Sequence, residues 1–268
     1  MLIEGRRQQI IDLVTKTDSR MVSISHLSQQ LGVSEMTIRR DLDWLASRSL
    51  VTRIHGGAAV HQANPTEKSF EVRSKEYNSQ KNSIGWAAAQ IINDGDRIIL
   101  DGGTTTQYIA RHLENKQKLT VITNNLPVAT ELALNPQIET IVLGGILKHK
   151  EQCTVGGMVV RALASLSAGK LFLSATGFNL KNGATDPDMR ETEVKQAMIR
   201  AADEIILAVD SSKYGNSALM QIAPLETIHK IITDDSMPLE AISALESLGI
   251  IVITPERLTS HFILGEEQ

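Results

Sequence analysis

Residues 34–50 read SEMTIRRDLDWLASRSL, and this stretch predicts one amphipathic helix. Its apolar residues Ile38, Leu42 and Leu45 recur at positions i, i+4 and i+7 and therefore share one face. Ser34 precedes the helix and is a residue type that caps helix N-termini. The opposite face carries Met36, Thr37, Arg39, Arg40, Asp43 and Trp44. An apolar inner face with outward arginines is typical of a helix that reads DNA.

A shorter helix is predicted just upstream. Ser23 is placed to cap it, and Ile24, Leu27 and Leu31 share one face. Residues 32–34, GVS, join the two helices, and a glycine is typical of such a tight corner. The pattern predicts a helix-turn-helix, although a small helical hairpin with charged outer residues has the same appearance.

A further helix is predicted over residues 4–16. Its apolar stripe, expected to brace the other two helices, consists of Ile10, Ile11 and Val14. Asp41 falls at the edge of the apolar face of the recognition helix. We therefore expect Asp41 to hold Arg6, Arg7 or a backbone amide rather than to face DNA.

The residues after the recognition helix favour a winged helix-turn-helix. Residues 50–55 alternate in the pattern of a strand, and the glycines at 56–57 offer a tight turn into residues 58–60. In a wing, Arg53 and His55 would contact phosphates; in a solvated hairpin they would contact only water. The expected DNA-contacting residues are Ser34, Met36, Thr37, Arg39, Arg40, Arg53 and His55.

Composition narrows the class of protein. The chain has 268 residues, which suits two domains, and its 42% hydrophobic and 3% aromatic content is typical of an aliphatic α/β core. Cys153 is the single cysteine, so an intrachain disulfide is excluded. The N-terminus lacks an apolar signal core, and no run of about 18 apolar residues occurs. We expect a cytoplasmic protein that does not enter a membrane.

The distribution of charge favours a modest affinity for DNA in the N-terminal part. The net charge is −4, yet residues 1–57 hold eight Lys or Arg against six Asp or Glu. This excess is small. We therefore expect DNA affinity to depend on a few well-placed cations and on duplication of the DNA-binding domain in a homo-oligomer, a dimer or tetramer.

The sequence divides into a winged helix-turn-helix over residues 1–57, a linker over 58–77, an effector domain over 78–255 and a polar tail over 256–268. The linker lacks periodicity, although its mixed charges favour some helix and Phe70 is a candidate anchor. Aliphatic strands separated by helix-sized segments predict an α/β domain with a parallel sheet covered on both faces. The predicted strands are 97–100, 119–123, 140–143, 170–174, 204–209, 230–233 and 250–253.

The end of the first of these strands predicts a phosphate-binding turn. Residues 101–106 read DGGTTT and lead into a helix, which brings glycines, hydroxyls and a helix N-terminus together. The turn lacks the lysine of a Walker A loop and the spacing of a dinucleotide fingerprint. A nucleoside triphosphate or NAD is therefore disfavoured. We expect no cofactor and no metal. The residues of this turn are Asp101, Gly102, Gly103, Thr104, Thr105 and Thr106.

Other strand ends add polar or glycine-rich residues at the same edge, where open parallel sheets bind ligands. Each of these loops also has an ordinary interpretation as turn chemistry. Lys213 is suited to meet a phosphate charge, but a lone lysine there is also commonly solvated. The residues at these strand ends include Thr123, Asn124, Gly144, Gly145, Thr176 and Lys213.

Three stretches resemble the DeoR family of bacterial transcriptional regulators: Arg7-x-x-x-Ile11, residues 33–42 (VSEMTIRRDL) and residues 52–58 (TRIHGGA). The resemblance extends over roughly residues 4–255. It implies that the effector domain is similar to the fold of ribose-5-phosphate isomerase and glucosamine-6-phosphate deaminase. It also implies that this domain senses phosphorylated sugars. Beyond the residues named above, it implies effector-binding positions at Lys181, Glu191 and Lys195.

That fold also has catalytic relatives. The first alternative is therefore a sugar-phosphate isomerase or deaminase that carries a DNA-binding domain. Isomerisation needs a base and a partner acid. Where the isomerases resemble Ala-Asp-Glu-Ile-Asp, this chain has Ala175-Thr176-Gly177-Phe178-Asn179, which has lost both aspartates. Threonine and asparagine bind sugars but are not bases at neutral pH. We therefore expect a regulator and not an enzyme.

The sequence thus predicts a repressor of a sugar-utilisation operon, released from operator DNA by a phosphorylated sugar. A DNA-binding protein whose second domain only oligomerises is the remaining alternative.

Overall fold

The computed structural model describes residues 6–7, 9–10, 13, 21–47, 51–54, 57–60 and 68–259. The chain divides into an N-terminal unit, Met1–Glu67, and a C-terminal unit, Lys68–Gln268. This division lies beyond the expected domain end at residue 57, because the strand at 57–60 pairs within the N-terminal unit. The expected linker over 58–77 is therefore shared between the two units.

The N-terminal unit contains a three-stranded antiparallel sheet and a helix-turn-helix. Its sheet order is β1-β3-β2, and the described residues 6–7, 9–10 and 13 are helical. The predicted winged helix-turn-helix is confirmed, while β1 was not predicted. The elements are β1 (Met21–Ser23), α1 (Ile24–Leu31), α2 (Glu35–Ser47), β2 (Val51–Ile54) and β3 (Gly57–Val60).

The predicted caps and core of this unit are present. Ser23 Oγ accepts a hydrogen bond from His26 N at 3.2 Å and caps α1. Gly32 ends α1 in the left-handed region with φ 65°, which favours glycine. Ile11 and Val14 of the predicted stripe lie outside the described residues. The buried core comprises Ile10, Val22, Ile24, Leu27, Ile38, Leu42, Leu45 and Ala58.

The C-terminal unit is built on a seven-stranded parallel sheet with the order β15-β14-β12-β9-β4-β5-β6. All seven predicted strands form it, and their ends differ from the prediction by at most two residues. The strands are buried on both faces because helices cover each side of a parallel sheet. Aliphatic side chains on both faces of the strands suit this environment. Its strands are β4 (Arg97–Leu100), β5 (Leu119–Thr123), β6 (Ile138–Val142), β9 (Ala168–Leu173), β12 (Ala202–Ala208), β14 (Lys230–Ile232) and β15 (Ile251–Ile253).

Helices connect these strands and cover two hydrophobic clusters, one on each face of the sheet. No helix in the described ranges has the length and apolar character needed to cross a membrane. The helices are α3 (Phe70–Ser74), α4 (Asn78–Gln90), α5 (Thr104–Arg111), α6 (Leu126–Leu132), α7 (Gly157–Leu163), α8 (Met189–Arg200) and α9 (Leu239–Ser247).

Two small antiparallel arrangements were not predicted. The first is the hairpin of β7 (Ile146–Lys148) and β8 (Cys153–Val155). The second is a sheet of β10 (Gly177–Asn179), β11 (Gly183–Asp186) and β13 (Met220–Ala223). Strands of three or four residues are too short to display a period. Their positions are fixed by tertiary contacts: Cys153 of β8 forms a β-bridge with Asn125, and β11 and β13 contact α8.

Candidate DNA-reading surface and effector site

The outer face of α2 presents one apolar side chain, Met36, and two arginines to solvent. Met36 is 61% exposed, and Arg39 and Arg40 are also exposed. Arg39 lies 3.6 Å from Glu35 in an i, i+4 ion pair, whereas no described carboxylate pairs with Arg40. Arg40 is therefore the better placed of the two arginines to meet a base edge.

Ser34 and Thr37 act together at the start of α2. Thr37 N donates to Ser34 Oγ at 3.3 Å, and the two hydroxyl oxygens lie 3.0 Å apart. Ser34 is therefore the helix cap that the sequence predicts. On the wing, Arg53 occupies a position in β2 opposite Ala58 of β3, and His55 lies outside the described residues.

Asp41 holds the first helix against the recognition helix. Its two carboxylate oxygens accept from Arg6 Nε at 2.6 Å and from Arg7 Nε at 2.9 Å, which confirms the prediction for this residue. Trp44 was expected to face outward and does not. It is half-buried against the core, and the Arg7 guanidinium lies 3.9 Å from the centre of its ring.

In the C-terminal unit, the predicted phosphate-binding turn joins β4 to α5. Gly103 is needed there, because a Cβ at this position would lie 2.9 Å from Ser174 Cβ. Thr106 Oγ1 lies 2.7 Å from Asp101 O and 2.8 Å from Gly103 O, which fixes the turn. Among the described residues no side chain caps α5. The first-turn amides of this helix are therefore available to an anion.

The Asp101 carboxylate does not bind the anion in this arrangement, because it belongs to a buried ion pair. Its Oδ2 lies 2.5 Å from Lys195 Nζ and accepts from Ser174 N at 2.9 Å and Ser174 Oγ at 2.8 Å. Lys195 is 2% exposed. Burial alone lowers the pKa of Lys195, but the nearby carboxylates, led by Asp101, outweigh it and raise the pKa. Lys195 therefore stays protonated and stabilises the turn through its ion pair with Asp101.

Asp186 is the second carboxylate beside Lys195, at 3.8 Å. Burial raises the pKa of Asp186 to about 6, and the attraction of Lys195 opposes this rise. Glu191 lies close enough to act electrostatically on both residues, while its Oε1 accepts from Lys148 Nζ at 2.5 Å. The structure thus brings the predicted residues Asp101, Glu191 and Lys195 into one charged cluster.

Two asparagines after β5 leave polar atoms unpaired beside the turn. Asn124 Nδ2 donates to Thr154 O at 2.8 Å, and Asn125 Oδ1 accepts from Val128 N at 3.0 Å. Asn124 Oδ1 and Asn125 Nδ2 are buried and have no partner among the described residues. A Cβ placed on Gly102 would meet these two atoms at 3.5 and 3.6 Å. An acceptor and a donor therefore flank Gly102, which suits a hydroxylated ligand.

The remaining predicted positions are less closely associated with this cluster. Thr123 Oγ1 accepts from Asn125 N at 3.1 Å and so stabilises its own turn. Gly144 and Gly145 are exposed, and Thr176 is half-buried. Lys181 is exposed between β10 and β11. Lys213, in a short 3₁₀ helix after β12, is half-buried.

Three residues of the cluster were missed by the sequence prediction: Ser174, Asp186 and Lys148. Ser174 directly follows β9, so its position at a strand end was an available signal. Asp186 and Lys148 lie in the short strands β11 and β7, which the sequence pattern does not reveal. Among the described residues no group of three or more His, Cys, Asp or Glu side chains is arranged to hold a metal ion.

Comparison with protein families gives two matches. Residues 6–64 match the DeoR-like helix-turn-helix domain, and residues 76–235 match the DeoR C terminal sensor domain. Among solved structures, ribose 5-phosphate isomerase A from Neisseria gonorrhoeae overlaps 52% of this chain and 54% of its own at 15% identity, with a TM-score of 0.38.

Full-length relatives are also found among curated proteins. "Uncharacterized HTH-type transcriptional regulator YulB" from Bacillus subtilis is 38% identical over 94% of this chain and 96% of the relative. "HTH-type transcriptional regulator YgbI" from Escherichia coli, also uncharacterized, is 35% identical over 96% and 100%. "HTH-type transcriptional repressor GlcR" from Bacillus subtilis is 34% identical over 96% and 98%. With both domain families matched and relatives of this coverage, the chain belongs to the DeoR family of transcriptional regulators.

Proposed function

We propose that this regulator is a cytoplasmic repressor of a sugar-utilisation operon and leaves its operator when a phosphorylated sugar binds the C-terminal unit. The observation that carries the proposal is the turn at residues 101–106. The turn provides an uncapped helix N-terminus, and two unpaired atoms, Asn124 Oδ1 and Asn125 Nδ2, lie beside its Gly102. An anion suits the first feature and sugar hydroxyls suit the second.

Carboxylates outnumber ammonium groups in the charged cluster, so an anionic ligand would be held by neutral groups. Lys195 is neutralised by Asp101 and Asp186, so it does not supply a free cation. The phosphate would instead be held by the first-turn amides of α5 and the hydroxyls of Thr104 and Thr105, which follow the glycine turn. The predicted cations with solvent-accessible positions are Lys213, half-buried after β12, and Lys181, exposed between β10 and β11.

The isomerase alternative is weaker for a chemical reason. Thr176 and Asn179 stand where the isomerases have acids, which leaves Glu191 as the candidate base. Glu191 is already paired with Lys148 at 2.5 Å, which restrains the movement that a catalytic base needs. We propose that the protein has no isomerase or deaminase turnover. Turnover of a sugar phosphate that Glu191→Gln abolishes would reverse this conclusion.

Homo-oligomerisation is the second part of the proposal. The N-terminal unit carries a small excess of positive charge, so two or more copies acting together would bind an operator far more tightly than one. We propose that the C-terminal units associate and set the spacing of the DNA-binding units. Analytical ultracentrifugation of the full chain tests this, and a monomer at micromolar concentration would contradict it.

The test of the effector begins with DNA selected by the protein from a random duplex library. Thermal shifts are measured with glucose 6-phosphate, fructose 6-phosphate, ribose 5-phosphate, glucosamine 6-phosphate and glycerol 3-phosphate. A compound that binds the native state raises the midpoint. The same compound should weaken binding of the selected duplex in fluorescence anisotropy, and the duplex should weaken binding of the compound by the same factor.

Thr104→Asp locates the effector site within this test. Its carboxylate occupies the proposed phosphate position, and the dipole of α5 favours the added negative charge, so the variant should fold. It should bind the duplex like the wild type and lose the ligand response. Thr104→Ser keeps the hydroxyl and should keep the response. A Thr104→Asp variant that still releases DNA at the same ligand concentration would place the effector elsewhere.

A further inference from the structure

Helix α3 is the first helix of the C-terminal unit, and the β7–β8 hairpin holds it in place. Phe70 N donates to Lys150 O at 2.8 Å, and the Phe70 side chain is buried. Arg73 forms an ion pair with Glu151, whose side chain is 12% exposed. Both contacts come from the connection between β7 and β8. The position of α3 therefore depends on the position of the hairpin.

Lys81 holds the other end of α3. Its Nζ, on helix α4, donates to Arg73 O at 2.5 Å and to Glu76 O at 2.7 Å. Burial lowers the pKa of Lys81 to about 8, so it is still largely protonated at pH 7. Helix α3 is thus held by α4 at its carboxyl end and by the hairpin at both Phe70 and Arg73.

The opposite side of the hairpin contacts the effector site. Lys148 Nζ on β7 lies 2.5 Å from Glu191 Oε1 and 2.8 Å from Asp188 Oδ2, at the start of α8. On β8, Thr154 N donates to Asn124 O at 2.8 Å. Asn124 is the residue whose side-chain oxygen is unpaired beside Gly102. One hairpin therefore contacts α8, the unpaired asparagine and α3.

We propose that the β7–β8 hairpin transmits occupation of the effector site to α3, and so to the chain segment that leads to the DNA-binding unit. This inference rests on the proposed function. An anion bound at the turn attracts Lys148 and competes with its two carboxylates. The hairpin then shifts, and Glu151 carries Arg73 and α3 with it. Coupling between separate sites requires a packed element that can adopt two arrangements, and the hairpin would be that element.

Coupling is measured as the factor by which the most stabilising sugar phosphate of the panel weakens binding of the selected duplex. Wild type should show a factor of at least about 10, within the usual range of 5- to 150-fold. Glu151→Gln and Arg73→Gln should reduce the factor to below about 2. Binding of the duplex alone and of the sugar phosphate alone should remain within about 2-fold of wild type, because neither residue belongs to either site.

The chain offers a matched control and a rescue. Lys170 and Asp96 form a similar part-buried ion pair at 2.5 Å, at the amino ends of β9 and β4, away from the hairpin. Asp96→Asn should therefore keep the wild-type factor. The charge exchange Arg73→Glu with Glu151→Arg restores an attractive pair and should restore coupling. Wild-type coupling in Glu151→Gln would overturn the proposal.

Hydrogen exchange without ligand separates this inference from the proposed function. Lys148→Met frees the hairpin from α8, so amides of residues 70–76 should exchange at least about 5-fold faster than in wild type, while Asp96→Asn leaves them unchanged. Unchanged exchange in Lys148→Met would overturn the relay even if a sugar phosphate binds. Faster exchange in a protein that ignores the whole panel would support the relay and reject the sugar-phosphate effector.

Discussion

The Nζ of Lys195 lies 2.5 Å from Oδ2 of Asp101, and this contact ties helix α8 to the turn that follows β4. Both side chains are almost fully buried, at 3% and 2% exposure. A pair this deep is maintained because each charge satisfies the other, and removing one partner leaves an uncompensated charge. The pair therefore defines the geometry of the turn.

Lys195→Met should lower the free energy of unfolding by about 3–5 kcal/mol, since it leaves Asp101 without its cation. Urea unfolding followed by fluorescence of Trp86, in a Trp44→Phe background, measures the effect in the C-terminal unit. The double variant Lys195→Met with Asp101→Asn should recover part of the loss. A single-variant loss below about 1 kcal/mol would show that the pair is not needed for stability.

The raised pKa of Asp186, about 6 against an ordinary 3.8, predicts a specific dependence of stability on pH. Between these values the folded state retains a proton that the unfolded state has lost, so the free energy of unfolding falls as pH rises. In Asp186→Asn this contribution is absent. The difference between wild type and variant should therefore fall by about 2 kcal/mol from pH 4 to pH 7. A constant difference across that range would contradict the assignment.

We propose that the exposed Arg40 guanidinium binds a guanine edge, so Arg40→Ala should reduce sequence discrimination by about 1–3 kcal/mol. Arg53→Ala should instead weaken binding evenly on all sequences if Arg53 contacts phosphate. Anisotropy with the selected duplex and with random DNA separates the two patterns. An equal loss on both DNAs for Arg40→Ala would exclude base reading by this residue.

Asp41→Asn should destabilise the N-terminal unit by about 2–3 kcal/mol, since it weakens two charged hydrogen bonds at once. Trp44 fluorescence in a Trp86→Phe background reports on this unit, because Trp44 packs beneath Arg7. Glu35→Gln, which breaks an exposed ion pair on the same helix, should cost less than about 0.5 kcal/mol. Similar losses in the two variants would mean that burial of Asp41 has no energetic consequence.

The larger sheet was predictable because its strands carry their own signal. Residues 97–100 and 119–123 are predicted with the ends that the structure has, since a strand buried on both faces is a short aliphatic run bounded by polar residues. The helix-turn-helix was predictable for a similar reason. Ile38, Leu42 and Leu45 keep their period along the whole of α2.

The charged cluster was only partly predictable, because its contacts join residues far apart in the chain. Asp101 was predicted from its turn and Lys195 from the family resemblance, but their contact spans 94 positions and no local pattern indicates it. Asp186 and Lys148 lie in strands formed only because neighbouring elements pair with them. Position in sequence identifies candidate residues for a site, whereas tertiary contacts decide which of them face a ligand and which support the others.

Ser23 has a consequence for how the DNA-binding unit moves. It is the last residue of β1 and also the N-cap of α1, so the wing sheet and the helix-turn-helix meet without a loop. Gly57 of β3 packs so closely on Val22 that a Cβ there would lie 2.3 Å from the Val22 carbonyl oxygen. A hinge within this region would have to break the sheet or the cap. The wing and the recognition helix should therefore approach and leave DNA as a single rigid body.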